Sequence, residues 1–229
     1  MKVSLLDRIR KLGTATGCAA LLFSMVSSVT LADDGQNPIR IIAFGDSLTA
    51  GYLLRPNEAF PSQLQMALQA KGHKVEIVNA GVSVDTTAGG ADRLEWTLQN
   101  GGDAVILELG ANDALRGLEP KEVRANLDRM LTAIAATGTP VLLAGMRAPG
   151  NWGSDYVKTF DAIFPDLAAK HGAALYPFFL DGVALNAQLV QADGLHPTAA
   201  GVAEIVKRIL PDAEALVARA QARQSTAKN

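Results

Sequence analysis

Residues 103–109 read Asp-Ala-Val-Ile-Leu-Glu-Leu, a nearly continuous apolar run set between Gly101-Gly102 and Gly110. A run of that length and composition is what a strand looks like when both its faces are covered, as in the interior of a parallel sheet. Parallel strands cannot be joined by hairpins, so such a strand requires crossover helices elsewhere in the chain.

The remaining sequence supplies them. Ile39 to Phe44 reads as a strand ending at Gly45. Asn57 to Lys71 reads as a helix with Phe60, Leu64, Ala67 and Leu68 on one face and Gly72 as its stop. Val75 to Val78 is a second strand, and Thr86 to Asn100 a second helix. Pro120 opens a helix that carries Val123, Leu127, Leu131 and Ile134 at helical spacing, and Val141 to Ala144 is a further strand. A helix over Tyr156 to Lys170 contains Pro165, which should kink it or end its first part. A short strand at Ala173 to Leu175 follows. The last helix begins at Pro197 with Val202, Ile205, Val206 and Ile209 inward, and the polar tail past about residue 217 is expected to be flexible. Strand and helix thus alternate five times, which indicates one α/β domain over residues 33–229 with helices on both faces of a parallel sheet. In such sheets ligands bind beyond the carboxyl ends of the strands.

Residues 1–32 are expected to be a signal peptide. Lys2, Arg8, Arg10 and Lys11 precede an apolar stretch densest from Cys18 to Val29, which ends in Thr30-Leu31-Ala32, a small-residue cleavage site. The apolar stretch is shorter than the roughly 20 residues of a spanning helix. Export to the periplasm or medium is therefore expected, with no stable membrane span once the leader is removed. The remaining chain would hold 17 basic and 22 acidic residues, a net charge of −5, and no cysteine, since Cys18 is the single one. That balance gives no footprint for nucleic acid, and it excludes disulfides, thiolate metal sites and a cysteine nucleophile.

Four segments carry chemistry at strand ends. Gly45-Asp46-Ser47-Leu48 follows the first strand and can present the Ser47 hydroxyl, although a polar turn after a strand is ordinarily only a turn or helix cap. Thr49 stands where the five-residue nucleophile elbow needs glycine, so that motif is absent. Asp193-Gly194-Leu195-His196-Pro197 precedes the last helix and can deliver a base and its carboxylate from one loop; it reads equally as a surface turn before a helix-starting proline. Among the three histidines, His73 sits in a polar turn and His171 precedes Gly172 at a helix end, which leaves His196 free to act as base. Gly110-Ala111-Asn112-Asp113 follows the strongest strand and offers a carboxamide donor for an oxyanion. Residues 79–87 follow the second strand and offer backbone N–H groups.

The blocks FGDSLTAGY (44–52), NAGVSVDTTAGG (79–90), ELGANDALRG (108–117) and DGLHP (193–197) resemble those of the SGNH (GDSL) hydrolase family, within it the bacterial periplasmic acyl-CoA thioesterase I, lysophospholipase and arylesterase group. The resemblance runs over essentially all of residues 33–229. It implies a flavodoxin-like three-layer α/β/α sandwich with a five-stranded parallel sheet, and no metal or organic cofactor. It further implies Ser47 as nucleophile, His196 as base and Asp193 as its partner, with an oxyanion hole formed by Ser47, a loop N–H after the second strand, and Asn112. The implied substrates are short- to medium-chain acyl esters and thioesters, including aryl esters and lysophospholipids. One position departs from the family pattern: Val84 stands where the group usually has glycine, and Gly81 is the alternative donor. Valine resists the positive φ that glycine accepts. Leu115, Leu118, Met146, Pro149 and Phe178 are expected to line the acyl groove, with Trp152 and Phe179 near them. Two rival readings use the same residues: a carbohydrate O-deacetylase, and a flavodoxin-like binding module in which Ser47, His196 and Asp193 are merely turn residues.

Overall fold

The computed structural model describes residues 37–99 and 101–227; the expected signal peptide lies outside them. Five strands, β1 (Ile39–Gly45), β2 (Val75–Gly81), β3 (Ala104–Glu108), β4 (Val141–Ala144) and β5 (Ala174–Tyr176), form one sheet in the order β2-β1-β3-β4-β5. Every pairing is parallel. All five residues of β3 are buried, Glu108 included, as its apolar run requires.

Among the described residues eight α-helices connect and flank the strands: α1 (Ser47–Ala50), α2 (Phe60–Ala70), α3 (Thr87–Leu98), α4 (Ala111–Arg116), α5 (Pro120–Ala136), α6 (Ser154–Asp161), α7 (Ile163–His171) and α8 (Ala199–Ala227). Helices α2 and α8 pack on each other in one layer, and α3, α5 and α7 form the other. This is the expected three-layer sandwich. The chain leaves β1 toward β2 on one side and returns to β3 on the other, so the strand order reverses at β1 and opens a crevice beyond its carboxyl end.

The register sharpens that crevice. Gly45 pairs with Gly81 on one side and with Glu108 on the other, so β1, β2 and β3 end level. Both glycines are required by close approach. A Cβ on Gly45 would overlap Thr49 Oγ1 and Glu108, and one on Gly81 would overlap the backbone of Ala50. Their absence lets α1 lie directly against the strand ends.

Several boundaries differ from those read in the sequence. Strand β2 runs three residues past Val78, because ladder bonds to β1 hold Asn79-Ala80-Gly81 extended although their side chains suit a turn. The chain ahead of α2 makes a separate 3-10 turn over Pro56–Glu58. The helix expected over Tyr156–Lys170 divides at Ala162, and Pro165 falls in the first turn of α7, where a missing N–H costs little. The expected flexible tail is a correction: α8 continues to Ala227. It passes through Pro211, which forfeits one helical hydrogen bond, and it is held by burial of Ala213, Leu216, Val217 and Ala220. Bonds from Arg223 to the Thr137 carbonyl (2.9 Å) and from Gln224 to Asp103 (2.8 Å) pin its far end. No helix among the described residues is long and apolar enough to cross a membrane.

Ending the chain after Leu216 removes buried Val217 and Ala220, and burial of a valine alone is worth about 1.5–3 kcal/mol. The truncated protein is expected to unfold at clearly lower urea concentration than the full chain, whereas a frayed tail would leave the midpoint in place.

Candidate active site

Helix α1 is one turn long and places Ser47 just beyond the end of β1. Asp46 is its N-cap and accepts a hydrogen bond from the Leu48 N–H at 2.9 Å. Gly51 closes it in a left-handed conformation, with φ 81. Ser47 is the first helical residue, so its N–H has no intrahelical partner. Its side chain is nearly buried, and its hydroxyl lies 2.8 Å from His196 Nε2.

His196 arrives on a loop tied to itself and to the Ser47 turn. Val190 bridges Pro197, the Gln191 N–H donates to the His196 carbonyl at 2.7 Å, and Gln191 Nε2 donates to the Tyr52 carbonyl at 2.9 Å. The Tyr52 ring packs against the imidazole, centroids 4.5 Å apart. Asp193 Oδ1 accepts the N–H groups of Leu195 (2.9 Å) and His196 (3.0 Å), while Oδ2 lies 2.6 Å from His196 Nδ1. These bonds, the Leu195 N–H foremost, hold the Asp193 carboxyl at about 2, well below its ordinary value. An ionised carboxylate only accepts, so Nδ1 carries the proton and Nε2 is free to accept from the serine hydroxyl. Each of the other two histidines has an acidic neighbour elsewhere: His73 lies 3.2 Å from Glu214, and His171 pairs with Asp128 in the last turn of α7.

The loop after β2 is bolted by Arg93, a residue with no distinguishing sequence pattern. From α3 it donates to Asp85 at 2.7 Å and to the carbonyls of Ala80 and Gly45 at 2.9 Å each, while its guanidinium lies 3.9 Å from the centre of the Phe44 ring. Val84 sits in this loop at φ 65, a conformation that a β-branched residue strongly resists. Arg116 donates to its carbonyl at 3.2 Å. Val84 faces the cavity, whereas the Gly81 N–H donates to Asn79 Oδ1 at 3.0 Å and Gly81 does not line the cavity. Asn112 also reaches the cavity, but Nδ2 already donates to the Asp85 carbonyl (2.9 Å) and to Asp46 Oδ2 (3.1 Å).

Beneath the serine lies a buried acid pair that the sequence reading also passed over. Glu108 accepts from the Thr49 hydroxyl at 2.7 Å, and its Oε1 has no hydrogen-bond partner among the described residues. Burial pushes its carboxyl well above the ordinary range, with the charge of Asp46 adding to the effect. Burial likewise lifts Asp46 to about 6, against the opposing bonds from Leu48 and Asn112.

Ser47 and His196 open into a cavity of about 440 Å³. Leu115, Met146, Pro149 and Phe178 line it, joined by Tyr52, Leu185 and Leu195. Leu118 does not line it: α4 ends at Gly117 with φ 63, and the chain turns away. Trp152 packs behind the wall, its indole N–H on the Ala114 carbonyl at 2.8 Å, and Phe179 lies wholly in the core against Phe60.

A hydroxyl, imidazole and carboxylate chain set at the switch point of a parallel sheet, opening into an apolar cavity, is the arrangement of an acyl hydrolase. The chain belongs to the GDSL-like lipase/acylhydrolase family, whose model matches residues 43–203, and it is a carboxylic ester hydrolase. It is 39% identical over 177 residues to an arylesterase of Vibrio mimicus, covering 77% of this chain and 88% of that protein. It is 35% identical over 199 residues to esterase TesA of Pseudomonas aeruginosa, covering 86% and 99%. Among solved structures, the SGNH-hydrolase family esterase AlinE4 is 46% identical with a TM-score of 0.68, covering 78% of this chain and 96% of that one.

Two outcomes follow from the strained and buried groups. Replacing Val84 by glycine relieves the left-handed valine and is expected to raise stability by about 1 kcal/mol in urea unfolding. Glu108 and Asp46 bind protons more tightly folded than unfolded, so they stabilise the fold at low pH and lose that contribution as pH rises past about 4 toward their folded values. Glu108→Gln is therefore expected to gain stability relative to the parent at pH 8 compared with pH 5; an equal difference at both would show that Glu108 does not titrate as described.

Proposed function

We propose that the protein is an exported serine esterase that hydrolyses short- to medium-chain acyl esters and thioesters through an acyl-enzyme on Ser47. The observation that carries this reading is the hydrogen-bonded chain Ser47–His196–Asp193 opening into the apolar cavity. Ser47 Oγ attacks the acyl carbonyl while His196 Nε2 takes its proton, and Asp193 steadies the resulting imidazolium. His196 then protonates the leaving alcohol or thiol. Water activated by the same imidazole attacks the acyl-enzyme and releases the acid, restoring Ser47.

The oxyanion is assigned to the N–H groups of Ser47 and Val84 and to Asn112 Nδ2. Ser47 is supported by its place at the start of α1. Val84 is favoured over Gly81 because the Gly81 N–H is already engaged. Asn112 must share a hydrogen with its present acceptors, and the longer bond to Asp46 is the one that yields most readily. Arg93 is a positioning residue that holds the Val84 loop against β1. The leader pattern of residues 1–32 supports a place in the periplasm or medium. The names of the relatives, arylesterase and esterase, agree with aryl esters as assay substrates.

Hydrolysis of p-nitrophenyl esters across acyl lengths tests this. Ser47→Ala is expected to abolish turnover with the fold intact, and undiminished turnover would remove Ser47 from its role. Asn112→Ala is expected to lower kcat by about 10²–10³, the usual cost of one oxyanion donor.

A further inference from the structure

Arg147 occupies a place that the mechanism leaves unused. It follows β4 and lies on the wall of the catalytic cavity. Apart from His196, every other residue lining that cavity is uncharged. Most arginines of this chain have an anionic or carbonyl partner: Arg55 with Glu58, Arg93 with Asp85, Arg124 with Asp166, Arg208 with Asp181 and Glu204. Arg147 has none among the described residues; its contact is with the face of Phe178, 4.9 Å from guanidinium to ring centre.

The backbone that carries it is fixed on both sides. Gly145 donates to the Tyr176 carbonyl at 2.7 Å and accepts from the Phe179 N–H at 2.8 Å, Met146 is buried, and the Ala148 N–H donates to Asp161 at 2.9 Å. An arginine on a backbone hydrogen-bonded at both sides, set over an aromatic ring and left without a carboxylate among the described residues keeps its planar fork available for an incoming anion. In a chain of net charge −2, that makes it a local exception to the prevailing field.

We propose that Arg147 is a specificity-determining residue that binds an anionic oxygen group, phosphate above all, carried on the leaving alcohol or thiol of the acyl substrate. The inference rests on the esterase reading. The anion is placed on the leaving group because the apolar lining (Leu48, Leu115, Met146, Leu180) suits the acyl chain, and a charge carried along it would be desolvated without a partner.

The test compares 1-hexanoylglycerol with 1-hexanoylglycerol 3-phosphate, both kept monomeric, using the parent protein, Arg147→Ala and Arg147→Lys. The parent is expected to prefer the phosphate ester. In Arg147→Ala the ratio of the two kcat/KM values should fall about tenfold or more, through KM, as loss of a charge-assisted contact implies. Lysine should recover part of it. Glycerol 3-phosphate should compete with the neutral ester in the parent and do so several-fold more weakly in Arg147→Ala. A ratio unmoved by Arg147→Ala, or a loss shared equally by both esters, overturns the inference. A preference that emerges only in micelles or anionic vesicles also overturns it, because the anion recognised would then belong to a lipid surface. Neutral ester turned over by the parent and lost in Ser47→Ala upholds the esterase reading whatever Arg147 does; no turnover of either ester by the parent overturns both.

Discussion

Everything at the site depends on three parallel strands ending at one level. With Gly45 opposite both Gly81 and Glu108, the loops that follow β1, β2 and β3 start side by side. The Ser47 turn, the Val84 loop and the Asn112 turn are thereby brought around one crevice without any long excursion of the chain. A shift of register along either ladder would carry one of these groups about 3.3 Å per residue away from the others, farther than a hydrogen bond reaches. The two glycines keep that arrangement tight, since side chains there would push α1 off the sheet.

The same crowding gathers unfavourable elements under the Ser47 hydroxyl. Val84 is left-handed, Glu108 is buried with one oxygen unpartnered, and Asp46 is buried beside it. Strain and buried polarity of this kind persist where the surroundings over-determine them, and they gather at functional sites. Here the surroundings are identifiable. Arg93 joins the ends of β1 and β2 to Asp85, and Asn112 joins Asp85 to Asp46. Asp113 takes both the N–H and the hydroxyl of Thr87, locking the start of α3 to α4. Side chains from two helices, α3 and α4, thus support two short loops with little regular structure of their own.

Sequence patterning located the five strands to within a few residues, because apolar runs bounded by glycine have few alternative readings. It failed where pairing or burial overrode local preference. Asn79-Ala80-Gly81 has turn composition but is held extended by its ladder with β1. The polar residues past about 217 suggest a flexible tail, but a buried stripe at Ala213, Leu216, Val217 and Ala220 carries α8 onward. At the site, the proposed trio Ser47, Asp193 and His196 was legible because hydrolysis needs those residue types at strand and helix ends, and the family blocks contain them. Leu118 was misplaced because proximity in sequence to Asn112 says nothing about which way α4 turns at Gly117. Arg93 and Arg147 were passed over because an arginine in a helix or loop carries no sign of its partners, and Glu108 because a single acid in an apolar strand is easily read through.

By itself, then, the sequence determined the layered α/β architecture and the family blocks, and it supports the proposed export and the proposed roles of Ser47, His196 and Asp193. Each follows from local composition or from chemistry that admits few residue types. Tertiary structure decided the rest: that the Gly81 N–H is already engaged, that both amide hydrogens of Asn112 already have acceptors, how far α8 runs, and that Arg147 stands on the cavity wall without a carboxylate partner among the described residues. Those properties depend on distances between residues remote in the chain, and only the closed fold sets such distances.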